Sequence, residues 1–411
     1  MIGFAAKEDQ LIALTPESRL RLDSRVKPQC TASVIIPARN EETNIERTLT
    51  SFSHQRNLDG TPLDSDTYEL LLLANNSTDR TAEVSREFVR QNPGVNVHII
   101  EATLATEIAH VGTARKLLMD LACARLEENR LINPGPLAIL STDADSVVAP
   151  DWIAQNLAAI EDDAEVVGGV INLMPGDLDG LEAGTRFAYE LDAELNALIA
   201  EVESVLDPDP ADPWPRHLNH FGASLACTPE AYRRCGGMPP VTPLEDVAFV
   251  DELRKVSARI RHSPAVHIFT SARLDGRADV GLSGQLRHWQ HDAREGLPQL
   301  VDSCAWLKHR FTRIAALRVL NEPRIVPDTS WVPDEWKDRV QQIRQEQLPT
   351  ARFLELIDCD GLIEACFECE ERHAEIATVI AALKVLLHDL SAVKRGNSLT
   401  KPVNALERVI V

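Results

Sequence analysis

Four times between Ala32 and Ile160, a short apolar run ends in a polar turn and gives way to residues with helical spacing. The runs are Ala32 to Pro37, Tyr68 to Ala74, Val95 to Glu101 and Leu137 to Thr142. The helical stretches after them reach Phe52, span Ala82 to Arg90 and Gly112 to Glu128, and run from Pro150 and Asp151 through Ile160. Strand, polar loop and helix in strict alternation imply parallel strands joined by helical crossovers. Apolar runs that are continuous, not alternating, fit strands covered on both faces. The expected class is therefore α/β. In such sheets ligands bind outside the carboxyl ends of the strands, which directs attention to the polar residues closing each run.

The fourth run ends in Ser141, Thr142, Asp143, Ala144 and Asp145. Two carboxylates separated by one small residue at a buried strand's end pack poorly. They suit a hard divalent cation, which takes oxygen ligands and leaves positions open for phosphate oxygens. Taken alone, an Asp-X-Asp is more plainly a polar loop with a helix cap.

Past residue 163 the regularity loosens. Gly168 and Gly169 in the strand-like run Ala164 to Leu173 point to a close backbone approach. Leu181 to Val205 is a long helical pattern, and Asp207 to Pro215 is too proline-rich for a helix or a central strand. Phe221 to Cys227 resumes an apolar run, and Pro229 to Cys235 is a short helix closed by Gly236 and Gly237. Glu245 to Val256 reads as a helix and Ala265 to Thr270 as a strand. From about residue 284 the chain reads as almost wholly helical, apart from Asn321 to Trp336. Residues 1–30 carry little pattern, as a short helix or loose arm does.

The composition of the 411 residues, 44% apolar and 26% charged, is that of a soluble globular protein. A formal net charge of −21 argues against nucleic-acid binding and against docking the whole surface on anionic membranes. No stretch has the apolar length of a transmembrane span, and the N-terminus lacks the apolar core of a secretory signal. Eight cysteines in this setting read as reduced thiols, and the expected location is cytoplasmic. Cys359, Cys366, Cys369 and His373 have spacing that zinc could use. Because Phe353 to Leu390 reads as helical, with Cys366, Cys369 and His373 along one face, core thiols are the better expectation.

Four ordered segments resemble glycosyltransferase family 2, the inverting sugar-nucleotide transferases of the GT-A fold. They are Val34-Ile-Ile-Pro-Ala-Arg-Asn-Glu-Glu42, Asn75-Asn-Ser-Thr-Asp-Arg-Thr81, Ser141-Thr-Asp-Ala-Asp145, and Gly236-Gly237 followed by Glu245-Asp246. The resemblance covers about residues 31–290. It implies a GT-A, Rossmann-like, mostly parallel sheet, a UDP- or GDP-sugar donor, Mn2+ or Mg2+, and a hydroxyl acceptor that the sequence does not identify.

The resemblance also assigns residues. Pro37, Arg39 and Glu41 fall on the donor side, with Glu41 meeting the nucleoside. The second segment places Asn75 and Asn76 by the base; the family usually has an aspartate where Ala74 stands, and an asparagine amide can still donate and accept to a base edge. Arg115, in Gly112-Thr-Ala-Arg-Lys116, lies near the nucleotide, although Lys116 departs from the pattern. Asp145 ligates the metal and Asp143 meets the ribose or a metal-bound water. His267 is a third metal ligand in some relatives, or else a core histidine. Arg273 and Arg277 flank Asp275-Gly276 in a loop suited to gripping diphosphate. Asp246 is the general base and Glu245 orients the acceptor or its own helix. Gln285-Leu-Arg-His-Trp289 is similar to a motif of processive synthases, with His288 in place of its arginine, so a non-processive relative is expected. Trp289 is an acceptor platform or a core residue.

The expected organisation is an arm (1–30), a GT-A domain (31–290) with a nucleotide-binding half (31–163) and an acceptor half (164–290), and a helical C-terminal extension (291–411). The extension is expected to serve packing, a lid or homo-oligomer formation. A sugar nucleotidyltransferase is the rival enzyme; no Gly-rich Arg/Lys loop follows the first strand, only Arg39-Asn-Glu-Glu42. A degenerate binding scaffold is the rival without chemistry: Ala74, Lys116 and His288 favour it, while Asp143, Asp145 and Asp246 oppose it.

Overall fold

The computed structural model describes residues 12–14, 19–130, 132–133, 135–276, 281–325, 328–367 and 371–397. Among them, one sheet contains nine strands. These are β1 (Ile12–Leu14), β2 (Ala32–Ala38), β3 (Tyr68–Asn75), β4 (Val97–Leu104), β5 (Ala138–Ser141), β6 (Ser146–Val148), β7 (Val166–Leu173), β8 (Leu225–Cys227) and β9 (Ile260–Thr270). Their order is β1-β4-β3-β2-β5-β8-β7-β9-β6. The first five are parallel, as are β7 and β9, whereas β8 runs against both its neighbours and β6 against β9. This is the mostly parallel α/β sheet that the alternation of strand and helix implied.

The residues explain the sheet's depth. Every position of β2 and β3 is buried, and successive side chains go to opposite faces. Val34, Ile36, Leu70 and Leu72 meet Ile45, Leu49, Phe52 and Trp152 on one face. Ile35, Leu71 and Leu73 meet Leu117, Leu118, Leu121 and Phe249 on the other. Each such side chain fully buried contributes roughly 1.5–3 kcal/mol. The crossover helices Ile45–Phe52, Thr81–Gln91, Val111–Asn129 and Trp152–Glu161 lie where the spacing places them.

Two expectations are corrected. Residues 12–14, expected in a helix or loose arm, pair in parallel with β4, Ile12 opposite Ala102. Three residues carry no period of their own; the open edge of β4 supplies the partner. Second, the region after residue 284 is not almost wholly helical: β10 (Leu300–Asp302) and β11 (His373–Glu375) form an antiparallel pair. Likewise Phe353 to Leu390 is no continuous helix. It breaks into Thr350–Leu356, Cys359–Ala365, β11 and Ile376–Asn397, with Asp358 between the first two at φ 57°. Short helices facing one cluster of Leu317, Leu320, Val332, Val340, Phe353, Ile357 and Leu362 keep the apolar spacing without one long axis. Cys359 opens a helix, Cys366 caps it and His373 lies in β11, so the expected shared helix face does not exist; Cys369 lies outside the described residues. Burial pushes the Cys359 thiol up to about 12, as in a core thiol.

By packing, the chain forms two compact units. The first comprises Met1–Leu181, Pro215–Arg287 and Pro349–Arg352 and holds the sheet. The second comprises Glu182–Trp214, His288–Leu348 and Phe353–Val411. In it the helix Ala183–Leu206 buries Leu195, Val202 and Leu206 against Leu307, Phe311, Ile376, Val379 and Leu383. That helix precedes the last strands of the sheet in sequence, yet it packs with the C-terminal helices.

Candidate active site

The turn after β5 is pinned by its neighbours. Ser141 Oγ donates to the Gly222 carbonyl at 2.7 Å, the Thr142 N–H donates to the Ile35 carbonyl at 3.2 Å, and Thr48 Oγ1 donates to the Ala144 carbonyl at 2.8 Å. Small and hydroxylic residues allow that close packing. They leave Asp143 and Asp145 as the carboxylates the turn presents.

Arg115, on the helix Val111–Asn129, is buried beside them. Its Nη2 donates to Asp143 Oδ1 at 2.7 Å, and its Nε lies 3.6 Å from Glu245 Oε1. Burial works against the guanidinium charge, but Asp143, Glu245 and Asp246 outweigh it and hold the group above its ordinary pKa. Among the described residues, Nε and Nη1 have no hydrogen-bond partner. An unmet buried donor costs about 1–3 kcal/mol.

Glu245 and Asp246 open the helix Glu245–Lys255. Asp246 Oδ2 accepts from the Gly222 N–H at 2.7 Å and Oδ1 from the Val247 N–H at 2.8 Å. The carboxylate is thus aimed by backbone on two sides. A Cβ at Gly222 would stand 1.0 Å from Arg115 Nη1, so any larger residue there would displace the guanidinium. Gly112 is equally constrained: its Cβ would meet the Val241 carbonyl at 2.4 Å and Glu245 Cβ at 3.1 Å.

Across the turn, Arg273 forks onto Glu41, with Nη1 to Oε2 at 3.0 Å and Nη2 to Oε1 at 2.9 Å. The same Nη2 lies 2.9 Å from Asp145 Oδ2. The Glu41 backbone is held in turn, its N–H donating to Thr81 Oγ1 at 2.7 Å. Five carboxylates, Glu41, Asp143, Asp145, Glu245 and Asp246, therefore share two guanidinium groups. The imbalance, with burial, raises Asp145, Asp143 and Glu245. Burial and then Asp143 push Asp145 up to about 6, against the pull of Arg273. Burial raises Asp143 as well, with Arg115 opposing and Asp246 and Glu41 adding to the rise. Glu245 is raised by burial, against Arg115 and with Asp246.

Hard oxygen donors in a place short of positive charge fit Mg2+ or Mn2+, which bind through one or two carboxylates plus substrate phosphates. The expected set with His267 is not assembled. Among the described residues no three His, Cys, Asp or Glu side chains are grouped to hold a metal. His267 sits within β9, opposite Val170, with its carbonyl accepting from the Ala149 N–H at 3.0 Å. It is Arg273, in the loop after β9, that reaches Asp145.

The remaining expected residues divide. Pro37 is buried in β2, Arg39 is exposed and donates to the Ala109 carbonyl at 3.1 Å, and Asn75 is buried at the end of β3. Asn76 is committed to the backbone: Nδ2 donates to the Leu104 carbonyl and Oδ1 accepts from the Leu104 N–H, both at 2.9 Å. Arg277 lies outside the described residues. Trp289 belongs to the second unit and is 5% exposed, edge-on to Tyr189 at 6.4 Å, as a packing residue is. Sequence reading missed Gly222, the residue that aims Asp246; it sits in an apolar run without a motif. It also missed His220, whose Nδ1 lies 3.3 Å from His262 Nε2.

Residues 33–103, from β2 through β4, match the model of glycosyl transferase family 2. No curated protein matches the sequence. Among solved structures, the chain is similar to the mannosyltransferase PcManGT of Pyrobaculum calidifontis in complex with GDP-Man and Mn2+, at 15% identity over 92% of this chain and 91% of that one, with a TM-score of 0.40. It is similar to S. aureus TarS 1-349 in complex with UDP, at 14% identity over 88% and 87%, with a TM-score of 0.40. A third is glucosyl-3-phosphoglycerate synthase of Mycobacterium tuberculosis with Mn2+, UDP and phosphoglyceric acid, at 19% identity over 67% and 81%, with a TM-score of 0.34. The class rests on the matched segment and the motifs. The protein is a glycosyltransferase. Within that class the motifs resemble family 2, and the match over residues 33–103 bears the resemblance out.

Proposed function

We propose that this chain moves one sugar from a nucleotide-diphosphate sugar to a hydroxyl acceptor, with inversion at the anomeric carbon. One observation carries the reading. Arg115 touches Asp143 and lies beside Glu245, so the acids of the β5 turn and of the later helix face one space.

The division of labour follows from charge. Negative charge develops on the departing nucleoside diphosphate, and preorganised cations there lower the barrier. The Arg273 fork beside Asp145 matches phosphate oxygens in shape and charge. Mn2+ or Mg2+ held by Asp145, with Asp143 alongside, would supply further neutralisation of the leaving group. Glu41 is assigned to the nucleoside. Asp246, aimed by two backbone N–H groups, takes the acceptor's hydroxyl proton as that oxygen bonds to the anomeric carbon. The bond from that carbon to the diphosphate oxygen breaks at the same time, and its electron pair leaves with the diphosphate. Glu245 steadies the acceptor side. The second unit is given no part in the chemistry.

The test is a thermal-shift screen of UDP- and GDP-sugars with and without Mn2+, followed by NMR of the product's anomeric centre. Donor stabilisation that needs the metal, and an inverted product, are expected. A retained configuration overturns the role of Asp246.

A further inference from the structure

Large apolar side chains exposed singly are ordinary on any surface. In the first unit they are not scattered. Among its described residues the exposed ones are Leu58, Val111, Ile132, Phe221, Val241 and Leu244. Four of these six, all 40–43% exposed, border the acid pair Glu245 and Asp246. Leu244 directly precedes Glu245, at φ 65°. Phe221 directly precedes Gly222, whose N–H holds Asp246. Val111 directly precedes Gly112, which packs against the Val241 carbonyl and Glu245 Cβ. The Phe221 ring is braced, stacked on His220 with centroids 5.6 Å apart and planes 25° apart. His220 is in turn against His262. Burial pushes His220 down to about 4, so the brace is uncharged near neutral pH.

We propose that Val111, Phe221, Val241 and Leu244 form a subsite for the apolar body of the acceptor. The acceptor is then a hydroxyl compound carrying an apolar portion, with no negative charge beside the reacting oxygen. This rests on the transfer reading above. Continuity selects the occupant: a hydroxyl within reach of Asp246 places the rest of its molecule against these side chains. Charge narrows it further. Asp143, Glu245 and Asp246 outnumber Arg115 and repel an anionic acceptor, and a net charge of −21 repels an anionic bilayer.

The test uses the full chain with UDP or GDP and Mn2+, and methyl, butyl, hexyl and octyl β-glucosides below their micelle concentrations. Calorimetry or ligand-observed NMR reads their binding. Affinity should rise about threefold per added methylene until the patch is covered. Phe221→Ser and Val241→Ser should each weaken octyl glucoside binding by about tenfold, while Leu58→Ser leaves it unchanged. Melting curves confirm that each variant folds, and two variants guard against the loss of one. Affinity that is flat with chain length overturns the subsite, as does equal loss in Leu58→Ser. Phosphatidylcholine vesicles are the third arm. If they capture the chain through Phe221 and Val241 while free glucosides do not bind, the patch is a membrane contact and the proposal fails. The nucleotide-induced melting shift, read on the same samples, separates the two claims: its absence removes the transfer reading, whereas chain-length dependence speaks only to the subsite.

Discussion

Two clusters of buried charge lie at opposite ends of the same parallel strands, and they are built differently. At the amino end, Glu69 of β3 is fully buried and fully met. Arg125 donates to it from Nη2 at 2.7 Å and from Nε at 3.0 Å, Ser33 Oγ donates at 2.7 Å, and His98 Nε2 lies 3.4 Å away. Arg125 Nη1 donates onward to the Ser24 carbonyl at 2.8 Å. Burial works to raise Glu69, but the hydrogen bonds from His98, Arg125 and Ser33 win and hold it down at about 2. At the carboxyl end, five carboxylates share two guanidinium groups, Asp145 is pushed up to about 6, and two Arg115 nitrogens lack hydrogen-bond partners among the described residues. The same physics of burial applies to both. The first cluster satisfies its own charges, so its role is to hold β2, β3, β4 and the helix Val111–Asn129 in register. The second needs outside charge and outside acceptors, as a ligand site does.

The largest expected effect tests the second cluster's chemistry. Asp246→Asn keeps the shape and removes the base, so turnover should fall roughly a hundred- to ten-thousand-fold. The melting shift with UDP or GDP should survive, and Glu245→Gln should be milder. Near-normal turnover in Asp246→Asn together with a dead Glu245→Gln would reverse the two roles.

The next effect tests the first cluster. Glu69→Gln leaves the Arg125 charge buried without a counter-ion, which should cost about 3–5 kcal/mol, read from the urea midpoint. The Glu69 pKa is depressed in the folded state, so its contribution is present above the ordinary carboxylate range and is lost as pH falls toward 2. The variant should therefore lose less stability than the wild type between pH 5 and pH 2. An unchanged midpoint at pH 7 would erase the contrast.

A smaller effect of opposite sign sharpens it. Asp145 is raised in the folded state, so the penalty on the ligand-free protein builds as pH rises from the ordinary carboxylate range to about 6 and is full above it. Asp145→Asn should stabilise the ligand-free chain at pH 7.5 by about 1–2 kcal/mol. The gain should shrink as pH falls through 6 toward 4, and the Mn2+-dependent nucleotide shift should vanish. A destabilised variant would place Asp145 among the satisfied charges.

The smallest expected change is a control for burial. Lys255 and Glu252 form a half-exposed i,i+3 pair at 2.8 Å. Lys255→Ala should move stability by no more than about 0.5 kcal/mol. A larger loss would mean that pairing alone, without burial, separates the clusters.

Much of the fold was legible because it is local. The runs Val34-Ile-Ile36 and Leu70-Leu-Leu-Leu73 have the length of strands and no polar interruption, so β2 and β3 could be placed to within a residue or so at each end. The acids were legible for the same reason, as they close such runs or open a helix. The rest depended on partners far away in sequence. Arg115 was found by motif position, but its contacts with Asp143 and Glu245 were not. Arg273 was read as a diphosphate grip, while its fork onto Glu41 and its approach to Asp145 came only with the fold. His267 has the right chemistry for a metal, but among the described residues no three such side chains are grouped to hold one. Cys359, Cys366 and His373 keep helical spacing, yet Asp358 and β11 break the helix they appear to share.

What the sequence by itself determined is the alternation of strand and helix, the α/β class, and the identity of the acids at the carboxyl ends. Those follow from side-chain period and from the few residues that can end a buried strand. What only the tertiary structure decided is which charges meet. A carboxylate's role depends on its neighbours within a few ångströms, since pairing and burial act through distance and solvent access. Glu69 and Asp145 are both acids on or beside buried strands. One is sealed by Arg125, Ser33 and His98, and the other is left in excess beside Asp143; no local pattern in the chain separates them.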